Sequence, residues 1–172
     1  MTGTDKQFSR QLNKLRGSKT LIVGIGNLLK GDDAVGPLVC QQLTGKICAE
    51  LIDAGTVPEN YIQPIIEKAP QNLLIIDAVD FGAPPGTIRI FRPEQLGSLV
   101  ISTHTLSPRL FIDMVRRNIK VDPRPSETGG VDVYFVGVQP AQTQLGQSLS
   151  DEVKQAVQQL THTLAEIFPP KK

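Results

Sequence analysis

The chain has no tryptophan, two tyrosines, two cysteines and two histidines among its 172 residues. Two thiols in a domain of this size make neither a disulfide framework nor a CxxC metal motif. Cys40 and Cys48 both fall in apolar surroundings and read as small buried hydrophobes, which suits a reducing cytoplasm. An excess of charge of either sign is also missing: 18 Lys and Arg face 17 Asp and Glu, a formal net charge of +1. That balance makes no electrostatic case for nucleic acid or an anionic membrane. Long hydrophobic runs are absent as well, since stretches such as LLII at 73–76 are far too short to span a bilayer. The first 19 residues are polar and mildly basic, with no apolar segment of the signal-peptide kind. The expectation is a cytoplasmic protein.

What is present is an ordinary globular composition, 40% hydrophobic and 20% charged, with enough length for one domain and a real core. No internal repeat or shift in composition marks a second domain. Residues 1–19 are expected as a polar, partly ordered arm in which Phe8, Leu12 and Leu15 share one face of a short helix. Residues 20–172 then form the single domain. Strands alternate with helices along it. Thr20–Ile25 reads as the first strand, and 37–43 as the clearest part of the first helix, with Gly36 as its cap. Residues 47–52 read as a strand, and 58–68 as a helix that Pro64 would kink. Residues 73–76 form a short, wholly apolar strand of the kind covered on both faces. Residues 87–91 form the next, entered through Pro84, Pro85 and Gly86.

Ser107 and Pro108 together predict a helix start, and Leu110, Phe111, Met114 and Val115 share one side of that helix. Residues 122–130 are a proline- and glycine-rich loop, and 131–138 the last strand. Ser150 caps a final helix whose stripe is Val153, Val157, Leu160, Leu164 and Ile167. The alternation predicts a three-layer αβα sandwich around a mostly parallel sheet of about five strands.

The chemistry concentrates in TLIVGIGNLLKGDDAVGP, residues 20–37. A strand runs into a glycine turn, yet a dinucleotide fingerprint would need a third glycine where Leu29 stands. The G-K-[ST] of a phosphate loop is absent, and Asp32 and Asp33 would stand where a phosphate should approach. A nucleotide- or flavin-binding domain is therefore disfavoured on both spacing and charge. Helix capping explains one aspartate but does not require two. Asp53 and Asp77 end the second and third strands, and ligands bind beyond the carboxyl ends of strands in an open parallel sheet. Loops after the first three strands thus gather Asp33, Asp53 and Asp77 along one edge. Of the histidines, His162 falls on the polar face of the final helix, opposite Val153. His104 lies in the loop just before the Ser107 cap, at the same carboxyl edge. Asp33, Asp77 and His104 make a mixed carboxylate–imidazole set suited to first-row divalent metals such as Ni²⁺, Zn²⁺ or Mn²⁺. Three protein ligands leave positions open for substrate or water. On residues alone the chain is a metal-dependent hydrolase or a metal-sensing binding module.

The same residues resemble the NiFe-hydrogenase maturation endopeptidases. GIGNLLKGDDAVG resembles that family's opening motif, DAGT from Asp53 its second, and LLIIDAVDFGAPPGTIRI its third. STHTLSP resembles the segment that holds the family's histidine, and VGVQP its final strand. TVPENYIQPI is nearest to the hydrogenase 3 type. Ala34 departs from the glycine common there, and the arm before Thr20 and the loop at 122–130 are longer than usual. The resemblance implies a peptidase that removes a short C-terminal extension from the large-subunit precursor of a NiFe hydrogenase once nickel is inserted. Nickel carried by the precursor is then the recognition signal, gripped by Asp33, Asp77 and His104, while Asp53 matches a further aspartate that positions substrate or cleavage site. No resident cofactor is implied, and a monomer suffices.

Two mechanisms fit that expectation. The nickel in the substrate polarises the scissile carbonyl or activates a water, or a carboxylate, Asp33 or Asp53, acts as general base as in an aspartic-type enzyme. A metal-tethered mechanism to which Asp33 contributes is the favoured form. A nickel-sensing chaperone that inspects the precursor without cutting it is the competing expectation.

Overall fold

The structure is a computed structural model that describes residues 3–98, 107–119 and 130–170. Five strands, β1 (Thr20–Ile25), β2 (Glu50–Gly55), β3 (Asn72–Ala78), β4 (Ile88–Phe91) and β5 (Asp132–Val138), form one sheet in the order β2-β1-β3-β5-β4. All neighbours are parallel except β4, which runs antiparallel to β5. The mostly parallel sheet follows from the sequence pattern, because β1 and β3 are buried at every position and carry apolar side chains to both faces.

Helices cover both faces. α1 (Gly3–Asn13), α2 (Val35–Leu43) and α5 (Asp151–Ile167) bury Leu12, Val39 and Leu160 against Ile22, Leu74 and Ile76. On the other face α3 (Ile62–Lys68) and α4 (Pro108–Asn118) bury Ile65 and Phe111 against Val23, Leu73 and Ile75. The alternating residues of β3 thus feed two separate cores, and the three-layer sandwich stands. No helix among the described residues is long and apolar enough to cross a membrane.

Several local expectations are corrected. Phe8 and Leu12 on α1, and Leu15 just after it, are all buried in the core, so the expected short helix packs its apolar face on the domain. β2 begins three residues later than expected, because Gly45 takes a left-handed turn and pairing with β1 starts only at Glu50 opposite Leu21. Cys48 consequently lies in the connection before β2 and is exposed, whereas Cys40 is buried. Pro64 does not kink α3. A 3-10 turn, Pro58–Tyr61, precedes the helix, so Pro64 is its third residue, where no backbone N–H is required. In α4 the buried stripe is Phe111, Ile112 and Val115, while Leu110 and Met114 are 49% and 40% exposed. The Ser107 cap is made as expected, its Oγ accepting from Leu110 N at 3.2 Å. The stripe of α5 is buried as expected. His162 is exposed and faces Glu166 at 3.3 Å. Of the expected loop at 122–130, all but Gly130 lies outside the described residues.

A candidate active site at the carboxyl edge of the sheet

The site begins where β1 ends. Gly26 has φ 143°, and a side chain there would place its Cβ 1.8 Å from the Asp33 carbonyl oxygen. Only glycine permits so close an approach. The chain loops out over residues 27–30 and returns, so that Asn27 N donates to Asp33 O at 3.1 Å and Asp33 N donates to Lys30 O at 3.1 Å. A 3-10 turn, Gly31–Ala34, then leads directly into α2. Gly36 is therefore inside the helix, not its cap, and Pro37 sits in the first turn. The role of Gly36 is contact: a Cβ there would meet Ile25 O at 2.3 Å and Ile76 O at 2.5 Å. Gly24, on β1, faces Gly36 O at 2.3 Å in the same sense. The close helix–strand approach that a dinucleotide motif assigns to its third glycine is made here by Gly36, ten residues beyond Gly26.

The two adjacent aspartates do different things. Asp32 is fully buried and accepts four hydrogen bonds. They come from Ala141 N at 2.8 Å, Gln142 N at 3.0 Å, Ser150 N at 2.7 Å and Ser150 Oγ at 2.9 Å. It clamps the segment 141–150 and the start of α5 onto the turn. Nothing in the sequence assigns Asp32 that task, because its partners lie more than a hundred residues away.

Asp33 is also fully buried, and the turn that carries it packs against β3. β3 carries Asp77 one residue past Ile76, the residue whose carbonyl Gly36 crowds. Asp77 is likewise 0% exposed. Two fully buried acids at the carboxyl edge of a parallel sheet are costly to keep there without a cation, a donor or a proton in reach. Asp53 is placed differently. It is exposed on the edge strand β2, in register with Gly24, and Gly55 N donates to its Oδ1 at 3.1 Å. Strand alternation puts Asp53 on the α2 side of the sheet, whereas Asp77 follows Leu73 and Ile75 on the α3–α4 side. Asp53 thus stands within one row of Asp77 at the same end of the sheet, but on the opposite face. His104 lies outside the described residues. Among the described residues, no three His, Cys, Asp or Glu side chains come together as a metal cage.

Two further residues frame the site. Gln139, 6% exposed just past β5, accepts from Phe81 N at 2.8 Å and Ala83 N at 3.2 Å through Oε1. Its Nε2 donates to Asp80 Oδ1 at 3.0 Å. These bonds tie down the turn that follows Asp77, and they hold the Asp80 carboxyl below the usual carboxylate range. The VGVQP motif marks this glutamine in the sequence, but its partners appear only in the fold. Cys40, beneath Asp53, has its thiol pushed up to about 12, first by burial and then by the Asp53 charge.

The chain is similar to several hydrogenase-processing proteins. A family model described as hydrogenase maturation protease matches residues 40–167. The hydrogenase 3 maturation protease of Escherichia coli K12 is 31% identical over 141 residues, covering 80% of this chain and 83% of that protein. A putative hydrogenase maturation protease of Methanocaldococcus jannaschii is 32% identical over 168 residues, covering 91% and 93%. Among solved structures, the NiFe hydrogenase maturation protease HycI of Thermococcus kodakarensis KOD1 superposes with a TM-score of 0.77 at 28% identity, covering 92% of this chain and 97% of that one.

Proposed function

The chain belongs to the hydrogenase maturation protease family, and from that premise we propose that it removes the C-terminal extension of a NiFe-hydrogenase large-subunit precursor after nickel insertion. The observation that carries the proposal is the pair Asp33 and Asp77. Both are fully buried near the carboxyl edge of the sheet, Asp33 on the turn before α2 and Asp77 near the end of β3, while the clamp on residues 141–150 falls on the neighbouring Asp32.

In this reading the nickel is part of the substrate. Asp33, Asp77 and His104 grip it, and carboxylate oxygen and imidazole nitrogen donors suit that ion. Binding the nickel holds the scissile bond at a fixed distance from the site, which converts recognition into positioning. Water then attacks the scissile carbonyl carbon, Asp33 takes the proton from that water, and the proton passes to the amide nitrogen as the C–N bond breaks. Asp53, exposed on β2 and tied to Gly55 N, positions the peptide and takes no part in proton transfer. Replacing Asp33 with asparagine is expected to abolish processing of the nickel-loaded precursor with the melting curve retained. Full processing by that variant would refute the assignment.

A further inference from the structure

The chain that leaves β5 is pinned to both aspartate-bearing turns in quick succession. Gly137, on β5, is in register with Asp77, and Gln139 follows two residues later. Gln139 is held through its backbone, which donates from N to Thr87 O at 2.9 Å and accepts from Gly86 N at 2.8 Å on its O. Its side-chain amide in turn holds Phe81 N, Ala83 N and Asp80 Oδ1. Val79 N, two residues past Asp77, donates to Val138 O at 3.0 Å. The turn that leaves Asp77 therefore closes on the end of β5 and on one buried amide.

Two residues beyond Gln139 the chain meets the other turn. Ala141 N and Gln142 N donate to the Asp32 carboxylate, and Asp32 N donates back to Gln142 O at 2.9 Å. Only Pro140 stands between the two anchors, and its ring fixes its own φ. Three residues span at most roughly 10 Å even when extended, so this bridge has little slack. It joins the turn after Asp77 to the residue before Asp33.

We propose that Gln139 is a positioning residue that, through the bridge 139–141, sets Asp77 relative to Asp33. The proposal rests on the functional reading above for the task the two acids perform, and adds to it a residue that touches neither nickel nor peptide. Gln139 acts on Asp77 through the turn at 79–83, and on Asp33 through Ala141 and the Asp32 clamp. A misplacement of about 1 Å can cost about a hundredfold in rate, so a loosened bridge shows in processing before the fold gives way.

The test uses the full chain and pairs residue-resolved amide hydrogen exchange with processing of the nickel-loaded precursor. Gln139→Met keeps the side-chain length and removes every hydrogen bond the amide makes. It should speed exchange at Phe81 and Ala83, its direct partners, and also at Asp32, whose N–H donates across the bridge to Gln142 O. At a temperature where both chains are folded, it should lower kcat/KM about tenfold. Gln139→Glu keeps an acceptor for Phe81 N and Ala83 N but sets a second carboxylate against Asp80, and decides the matter if the methionine variant does not fold. It should also lower processing, and adding Asp80→Asn, which replaces the repulsion with an amide donor, should restore it. A role in stability alone would move the melting curve and leave kcat/KM of the folded variant native. That result, or exchange quickened only at residues 81 and 83, overturns the proposal, as does a loss in Gln139→Glu that Asp80→Asn fails to restore. A native chain that leaves the precursor uncut refutes the functional reading, and exchange at Asp32 then still decides the bridge by itself.

Discussion

Replacing Asp32 with asparagine should cost the fold about 2–3 kcal/mol, although the two side chains have almost the same shape. The carboxylate takes Ser150 N on one oxygen and Ala141 N, Gln142 N and Ser150 Oγ on the other. An asparagine must turn its amide nitrogen toward one of those two groups of donors. Even in the better orientation it loses the bond from Ser150 N and sets two N–H groups against each other in a fully buried site. A hydrogen bond to a charged acceptor is worth about 1.5–3 kcal/mol, which sets the scale of the loss. Asp32→Ala strands all four donors and should cost more, about 3–5 kcal/mol. For a chain of this length each kcal/mol lowers the melting temperature by about 2–4 °C. The asparagine variant should therefore melt roughly 4–12 °C below the native chain, followed by circular dichroism. Ser150→Ala removes the hydroxyl donor and the α5 cap together, so its cost should not add fully to that of Asp32→Ala. A melting temperature within a degree of native for Asp32→Ala would refute the idea that this carboxylate holds residues 141–150 in place.

Gly36→Ala should be among the most damaging single methyl additions in the chain. Its Cβ would stand 2.3–2.5 Å from backbone atoms of Ile25 and Ile76, which cannot move as a side-chain tip can. A loss of about 1–3 kcal/mol is expected from chemical denaturation, together with impaired processing as α2 lifts away from β3. The two cysteines should also separate cleanly. At pH 8 iodoacetamide should modify exposed Cys48 and spare Cys40, read by peptide mass. Because the folded Cys40 thiol is raised from 9.0 to about 12, its contribution to stability is complete below pH 9 and is lost as pH rises from 9 toward 12. Cys40→Ala should flatten that part of the stability profile, and an unchanged slope would refute the assignment.

Much of this architecture is legible in the residues themselves. The apolar run at 73–76, the β-forming Thr20–Ile25 and the regular stripe of α5 each point to one structure, and the fold agrees with them. The misreadings have physical causes. Gly36 and Pro37 look like a cap and a first helical residue, but the two aspartates before them already form a 3-10 turn, so the helix starts earlier. Pro64 looks like a kink until the preceding turn moves it into the first turn of α3. Phe8, Leu12 and Leu15 are too short a stripe to predict docking, which depends on the groove beside α5 and β4. At the site, strand ends make Asp77 visible, whereas the separation of Asp53 from Asp77 depends on which face each strand residue takes. A register of that kind cannot be counted along one strand alone. The difference between Asp32 and Asp33 is equally hidden, because it is set by contacts 109–118 residues away.

The central claim is that this chain cleaves a hydrogenase precursor under the control of the nickel in it. Intact-mass analysis of a nickel-loaded large-subunit precursor, with a nickel-free precursor alongside, tests it most directly. The account predicts loss of a C-terminal peptide from the nickel-loaded form only, with Asp33→Asn leaving both forms whole. Stable binding of the nickel-loaded precursor with no change of mass would contradict it and make the protein a nickel-sensing chaperone.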